Sequence, residues 1–463
     1  MVYEKGLFLF HRDLRIEDNL GIQLAAQQCK KLYAVFIFTP EQVGPSNSYR
    51  SKNAVQFMIE SLVELRESLD HVGGELIVCY GKTNSVMKSL FESLDIDAVF
   101  FNRDYTPYAV QRDSELEELC HKHNIKCETA ADYYLHEPDK SVKVYHKFTP
   151  YYETAIQIPV QAPEKGRGKN RFQKVGGVEI PYSISLEDAF RKMVGKPNPA
   201  ILVRGGRTEG IRRLREAVET QRNYLEDRNN LSKETTQLSA YIKFGCVSIR
   251  EVFYAIKAAF GVKHELIRQL IWRDFFAQLL FVYPETLGHS YNPHFEQIRW
   301  KTNHNWLDLW KDGKTGFPIV DACMRQLNQT GYMHNRGRMI VAHFLTKTLL
   351  LDWREGEQYF ARKLTDYDVA SNAGNWSAIV GGGAYAMPYF RIMNPWIQSK
   401  EYDRDASYIK TWVAELADVE AKDIHQWNQT YSDPKYKNIH YPKPIIDYQE
   451  QKERALALYA KFV

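Results

Sequence analysis

Short apolar runs alternate with longer amphipathic stretches through the first 135 residues. Residues 6–10 (GLFLF), 32–38 (LYAVFIF), 76–80, 98–102 and 125–129 are mostly aliphatic and aromatic. The first four carry apolar side chains on consecutive positions, the pattern of strands buried on both faces. Between them, helical patterns cover residues 20–28, 51–69, 84–93 and 110–123, with Asp18-Asn19 opening the first. Strand and helix in regular alternation predict an α/β domain with a parallel, Rossmann-like, doubly wound sheet, ending near residue 135.

The pattern then breaks. Prolines at 138, 150, 159, 163, 181, 197 and 199 punctuate the next stretch, which reads as a long surface linker. Within it, residues 165–171 (KGRGKNR) form a basic run expected to be a solvated loop. From residue 207 onward the periodicity is helical, for example at 210–224, 250–260, 264–283, 319–330, 338–351 and 355–364. The expected division is an α/β domain over 1–135, a linker over 136–200 and an all-α domain over 201–463.

A chain of 463 residues exceeds one ordinary core, in keeping with two domains. Its aromatic content of 13% supplies either a large core or stacking surfaces for a planar cofactor or bases. The net charge of +4 is unevenly spread: residues 200–340 hold 21 Lys and Arg against 14 Asp and Glu, a net +7. That excess suits a polyanionic partner and equally a solvated helix surface. Six scattered cysteines form no C-x-x-C pair, so no zinc or iron–sulfur framework is expected. Free thiols and the lack of a signal-peptide or membrane-span pattern give the expectation of an intracellular, reducing compartment and no membrane.

Chemistry concentrates in residues 331–376. Two arginines (Arg336, Arg338), two aspartates (Asp366, Asp368), two asparagines (Asn335, Asn372) and two tryptophans (Trp353, Trp376) flank an apolar helical run at 339–351. A plain core helix does not need such polar ends, and the stretch reads as a cofactor cradle. Other motifs fail. Gly313-Lys314-Thr315 lacks the P-loop glycine, because position 308 is Asp308. No G-x-G-x-x-G, HExxH or G-x-S-x-G occurs, and no metal site is expected.

Several motifs together resemble the photolyase/cryptochrome family. They are residues 9–19 (LFHRDLRIEDN), 235–239 (TTQLS), 269–276 (QLIWRDFF), 313–321 (GKTGFPIVD), the 331–376 stretch, 388–395 (PYFRIMNP) and 441–444 (YPKP). They span essentially the whole chain in family order. The resemblance implies an antenna domain, a linker and a helical domain holding a bent FAD, with a second antenna chromophore of open identity. It implies a monomer acting on UV-damaged DNA.

By resemblance, Tyr224 and Thr235, Thr236, Gln237, Leu238 and Ser239 contact the flavin phosphates. Hydroxyls and N–H groups entering a helix suit that role, as they suit an ordinary N-cap. Arg338 and Asp366 match a salt bridge beside the flavin ring, and Asp368 a ring contact. Asn372 matches the position facing flavin N5, where a neutral amide supplies no proton readily. Trp376, Trp353 and Trp300 match an electron-carrying chain. Trp272 matches the aromatic that stacks on a flipped lesion. Gln269, Arg273, Asn335, Arg336, Met339 and Gln398 match DNA-facing positions, whose charges make binding salt-dependent.

The chain departs from cyclobutane-dimer photolyases at Gln269, where they carry Glu, and at Ala378, where many carry a second tryptophan. Residues 104–109 (DYTPYA) lack the Asn-Glu pair of folate-binding members. Asn335 and Met339 stand where (6-4) photolyases carry two histidines, so general-acid chemistry there has no donor. The resemblance therefore favours light-driven repair of cyclobutane pyrimidine dimers, with a cryptochrome-type receptor and (6-4) repair as alternatives.

Overall fold

The computed structural model describes residues 3–164, 166, 169–383 and 391–462. Five strands, β1 (Tyr3–Phe10), β2 (Cys29–Phe38), β3 (Leu76–Tyr80), β4 (Ala98–Asn102) and β5 (Lys126–Ala130), form one parallel sheet in the order β3-β2-β1-β4-β5. Helices cover both faces, as consecutive apolar positions require. Phe8, Phe10, Ala34, Phe36 and Phe38 point to one side, while Leu7, Leu9, Val35, Ile37, Val99 and Phe101 point to the other. The first helix, Leu20–Gln28, is capped by Asn19, whose side chain accepts from the Ile22 amide. The strand order reverses direction between β1 and β4, which leaves a crevice past their C-terminal ends.

The segment expected as a bare linker is more structured than that. It carries two eight-residue helices, Phe148–Ala155 and Leu186–Met193. It also seals the β3 edge: the Tyr80 amide donates to the Tyr182 carbonyl and the Ile184 amide to the Val78 carbonyl, each at 2.9 Å. An edge covered in this way cannot recruit another strand. Of the basic run, residues 165, 167 and 168 lie outside the described residues. Lys169 is tied to Glu17 at 2.7 Å.

From residue 207 onward, helices predominate. The helix expected at 210–224 is Arg207–Thr220, followed by a short turn Tyr224–Asp227. The apolar run 338–351 is not one α-helix. Asn335–His343 is α-helical, Phe344–Thr348 is a π turn and Leu350 has φ of +59°. At this break the Trp310 indole N–H donates to the Val341 carbonyl, the group an α-helix offers to residue 345.

One buried ionic cluster locks the two halves together. Arg15 and Asp132 pair at 2.6 Å, Arg250 reaches Asp132 at 2.7 Å and Asp18 at 3.0 Å, and Ser248 bonds Asp18. Arg250 and Ser248 come from the helical half and the others from the sheet half. All four charged side chains are buried.

Candidate functional site

Helix Val369–Val380 organises the cradle. Asp368 caps it by accepting from the Ser371 amide at 2.9 Å. Asn372 and Trp376 lie four residues apart and share a face. The Asn372 amide donates to the Glu357 carboxylate at 2.8 Å and the Glu357 carbonyl at 3.1 Å, which fixes its orientation. Burial pushes the Glu357 carboxyl up, against the pull of its bonds to Tyr49 and Asn372. Packing around Trp376 is tight. A Cβ at Gly356 would sit 2.2 Å from the indole, so only glycine fits there.

Asp366 gathers the neighbouring groups. Arg338 donates to its two carboxylate oxygens at 3.1 and 2.9 Å, and Ser239 donates to it at 2.7 Å. Thr235 Oγ1 bonds Tyr332 at 3.1 Å, and the Arg338 guanidinium lies near the Tyr332 ring. Gln237 has φ of +51° and a buried Oε1 without a partner. Thr236 Oγ1 accepts from the Leu238 amide. The ordinary N-cap that the 235–239 run also suits is not formed, since the short helix Ser239–Lys243 has no side-chain cap and Ser239 turns to Asp366. An orphaned acceptor and a paired donor–acceptor edge fit a flavin dinucleotide. The Tyr224 ring lies near Arg228.

Arg228 pairs with Glu265, and Glu265 accepts from the Gln269 Nε2 at 2.8 Å. With its NH2 committed to a carboxylate, Gln269 presents Oε1, an acceptor, as a glutamate would. On the next turn the geometry departs from expectation. Trp272 stacks face to face on Phe148 of the linker helix, centroids 3.5 Å apart, and also packs on Phe276. One face of the expected lesion platform is therefore covered. Arg273 turns inward, donating to the Tyr133 carbonyl and lying 4.4 Å from the Tyr134 ring, so it is an interdomain contact and not a DNA-facing group. A period-based reading missed Phe148 because its helix is only eight residues long.

Asn335 and Met339 share a face of helix Asn335–His343, with Asn335 exposed. Arg336 donates to Asn229 at 2.7 Å and lies over Tyr402. Gln398 keeps a buried Oε1 without a partner. The two nearby histidines are held neutral and carry no imidazolium proton to give. Burial, reinforced by Arg338 and Arg336, pushes His334 down to about 4. Burial and the Lys347 charge push His343 well below its usual value. Part of the 388–395 motif, residues 388–390, lies outside the described residues.

Trp376 and Trp353 are buried and Trp300 is partly exposed. The Lys301 amide donates to the Leu350 carbonyl at 2.9 Å, which holds the Trp300 segment beside that of Trp353. Ala378 is buried.

A second site lies in the sheet's crevice and takes in Asp104, Thr106, Pro107 and Tyr108 of the 104–109 segment. A cleft of about 520 Å³ opens past the C-terminal ends of β1, β2 and β4. Phe38, Tyr108 and Tyr367 give it apolar walls, while Arg12, Lys243, Asp104 and Asp368 make its other end polar, beside a His11 that burial and the Arg112 charge hold neutral. Burial pushes Lys243 down to about 8. Arg12 pairs with Asp104 at 2.7 Å and with Asp368 at 3.3 Å, so one guanidinium joins the cleft to the cap of the Asn372–Trp376 helix. Burial would raise Asp368, but Arg12 and Arg273 hold it below its usual range. The 104–109 segment was singled out in the sequence, while the strand order that sets where the cleft opens is not supplied by a linear reading.

Comparison with known proteins decides the family. The model for DNA photolyase matches residues 6–165, and the model for the FAD binding domain of DNA photolyase matches residues 266–461. A deoxyribodipyrimidine photo-lyase of Halobacterium salinarum is 33% identical, over 98% of each chain. The chain belongs to the DNA photolyase family. An archaeal photolyase of Sulfolobus tokodaii, solved with two FAD molecules, is 38% identical with a TM-score of 0.88 over 99% of this chain and 100% of that one. A class III photolyase of Agrobacterium tumefaciens is 30% identical with a TM-score of 0.91, covering 100% of this chain and 98% of that one. As a photolyase family member, the chain is a flavoprotein with FAD as its cofactor. Among the described residues no helix is long and apolar enough to cross a membrane.

Proposed function

We propose that this photolyase family member repairs cyclobutane pyrimidine dimers in UV-damaged DNA, driven by light. The observation that carries the reading is the pair Asn335 and Met339 on one helix face, with both neighbouring histidines held neutral by burial. Repair of a (6-4) lesion needs a proton donor at this place, and a cyclobutane dimer does not. When bound, reduced FAD supplies the light-driven electron that splits the dimer. Arg338, Asp366 and Ser239 orient the flavin's polar edge. Asn372, locked by Glu357, supplies an amide and no proton. Gln269 offers Oε1 to an N–H of the extruded base, and Asn335, Arg336 and Gln398 lie toward the DNA.

The cleft past β1 and β4 suits a second planar chromophore with a polar edge at its Arg12 and Lys243 end. A flavin or deazaflavin antenna has that form, and the Sulfolobus relative with two FAD molecules supports this assignment.

The Phe148 stack on Trp272 favours one competing reading, a blue-light receptor without repair. The test is direct. The photoreduced protein is illuminated with oligonucleotides carrying a defined cyclobutane dimer or a (6-4) lesion. Restoration of the dimer alone is expected. Repair of the (6-4) lesion, or of neither, overturns the proposal.

A further inference from the structure

Trp376 has an indole neighbour outside the three-tryptophan series. Trp310, on helix His304–Asp312, meets it edge to face with centroids 6.4 Å apart and planes at 75°. Trp310 is fully buried, and its Nε1 donates to the Val341 carbonyl at 3.1 Å. Tyr359 lies 5.9 Å from Trp310, ring centre to ring centre, and is partly exposed. Phe360 packs on both Trp376, at 5.1 Å, and Trp310, at 6.5 Å, and fills the space between them. A continuous line of ring contacts thus runs from Trp376 to the protein surface. By contrast, Trp353 carries the Arg354 guanidinium 5.0 Å from its ring, and a cation there makes removal of an electron harder.

The two ends of the line differ in proton chemistry. The Trp310 N–H faces a neutral carbonyl, so an oxidised Trp310 keeps its proton and remains a strong oxidant. The Tyr359 hydroxyl donates to Asn328 Oδ1 at 2.6 Å and the Lys311 carbonyl at 3.2 Å. Burial pushes this phenol up to about 12, so it is protonated at neutral pH until an electron leaves. The Lys311 and Lys363 ammonium groups lie 5.8 and 5.4 Å from the ring and oppose a cation there. A phenol radical cation is a far stronger acid than an indole one, so oxidation expels the Tyr359 proton to water at the partly exposed rim although its partners, like that of Trp310, are neutral oxygens.

We infer that Trp310 and Tyr359 form a second electron route into the flavin site, from Tyr359 through Trp310 to Trp376, ending as a neutral phenoxyl radical on Tyr359. The inference rests on the reading that Trp376 adjoins the flavin. One electron passes from Trp376 to photoexcited oxidised FAD. Trp310 refills Trp376, Tyr359 refills Trp310, and the phenol proton goes to solvent. A thiol reductant later returns one electron and one proton to Tyr359.

The experiment uses the full FAD-loaded chain and four variants: Trp353→Phe, Tyr359→Phe, Trp310→Phe and Trp376→Phe. Electron paramagnetic resonance under illumination is the readout. A tyrosyl spectrum is expected in the parent and in Trp353→Phe. It is lost in Tyr359→Phe, which keeps the ring and its packing, and in Trp310→Phe. A tyrosyl signal that survives Tyr359→Phe, or that is absent from Trp353→Phe, overturns the route. If radical formation is unchanged in Trp376→Phe, both the route and the placement of the flavin beside Trp376 fall. If it is abolished there while Tyr359→Phe changes nothing, the route alone falls.

Discussion

Replacing Gln269 by the glutamate that the family resemblance leads one to expect there creates a conflict. The Gln269 Nε2 rests 2.8 Å from a carboxylate oxygen of Glu265, one helical turn back. In Gln269→Glu two carboxylates meet at that place. At about 4 Å they repel by roughly 1 kcal/mol with the dielectric of water and about 4 kcal/mol at the effective value near a protein surface. The Glu265 side chain is 17% exposed and already pairs with Arg228, so the cost falls between these limits. At about 1.4 kcal/mol per unit, one of the pair titrates roughly one to three units above its ordinary value. A carboxyl raised in the folded state favours folding fully below its unfolded value, and that contribution is lost as pH rises through the raised value. Relative to the parent, the variant is therefore expected to show little loss of stability near pH 4 (about the unfolded glutamate value). The loss then grows to about 1–4 kcal/mol by neutral pH. Urea unfolding across this range reads the difference. A second substitution, Glu265→Gln, is expected to flatten it. A difference that does not vary with pH refutes the account of Gln269 as an acceptor held by Glu265.

Three further outcomes are expected. Arg250→Met leaves Asp18 and Asp132 buried with half their partners gone, and should cost roughly 3–5 kcal/mol in chemical unfolding. Asp366→Asn removes the charge that Arg338 and Ser239 address; at about 1.5–3 kcal/mol for a charged hydrogen bond, FAD is retained about 10- to 100-fold less tightly, as titration of the apoprotein reads. Gly356→Ala drives a methyl group into the Trp376 indole and should destabilise by about 1–3 kcal/mol, seen as a lowered unfolding midpoint.

The sheet was legible because strands buried on both faces must be apolar at every position, and such runs stand out. β5 was readable mainly from its place in the alternation, since it lies at an edge and is only partly buried. The polar cluster around residues 331–376 stood out because charged and amide groups are so dense beside an apolar helix, and it lies within the matched FAD binding domain. What the linear pattern cannot carry is contact between distant segments. Phe148 covers Trp272, Tyr133 holds Arg273, and Glu265 turns Gln269 into an acceptor, each through a neighbour that no periodicity names. The π turn at Phe344–Thr348 was hidden for the same reason. An unbroken apolar run reads as one helix, and the indole of Trp310 that meets its backbone lies 31 residues away.

Arg12 holds both the crevice, through Asp104, and the cap of the Asn372–Trp376 helix, through Asp368. Two binding equilibria that draw on one guanidinium are thermodynamically linked. Any change that filling the crevice makes in the Arg12–Asp368 pair is returned in equal measure when the other site fills, because the coupling free energy is a property of the pair of sites and not of either ligand. Light harvesting and redox chemistry in this fold would then share a common reservoir of affinity, with Arg12 as the point through which each site senses the loading of the other.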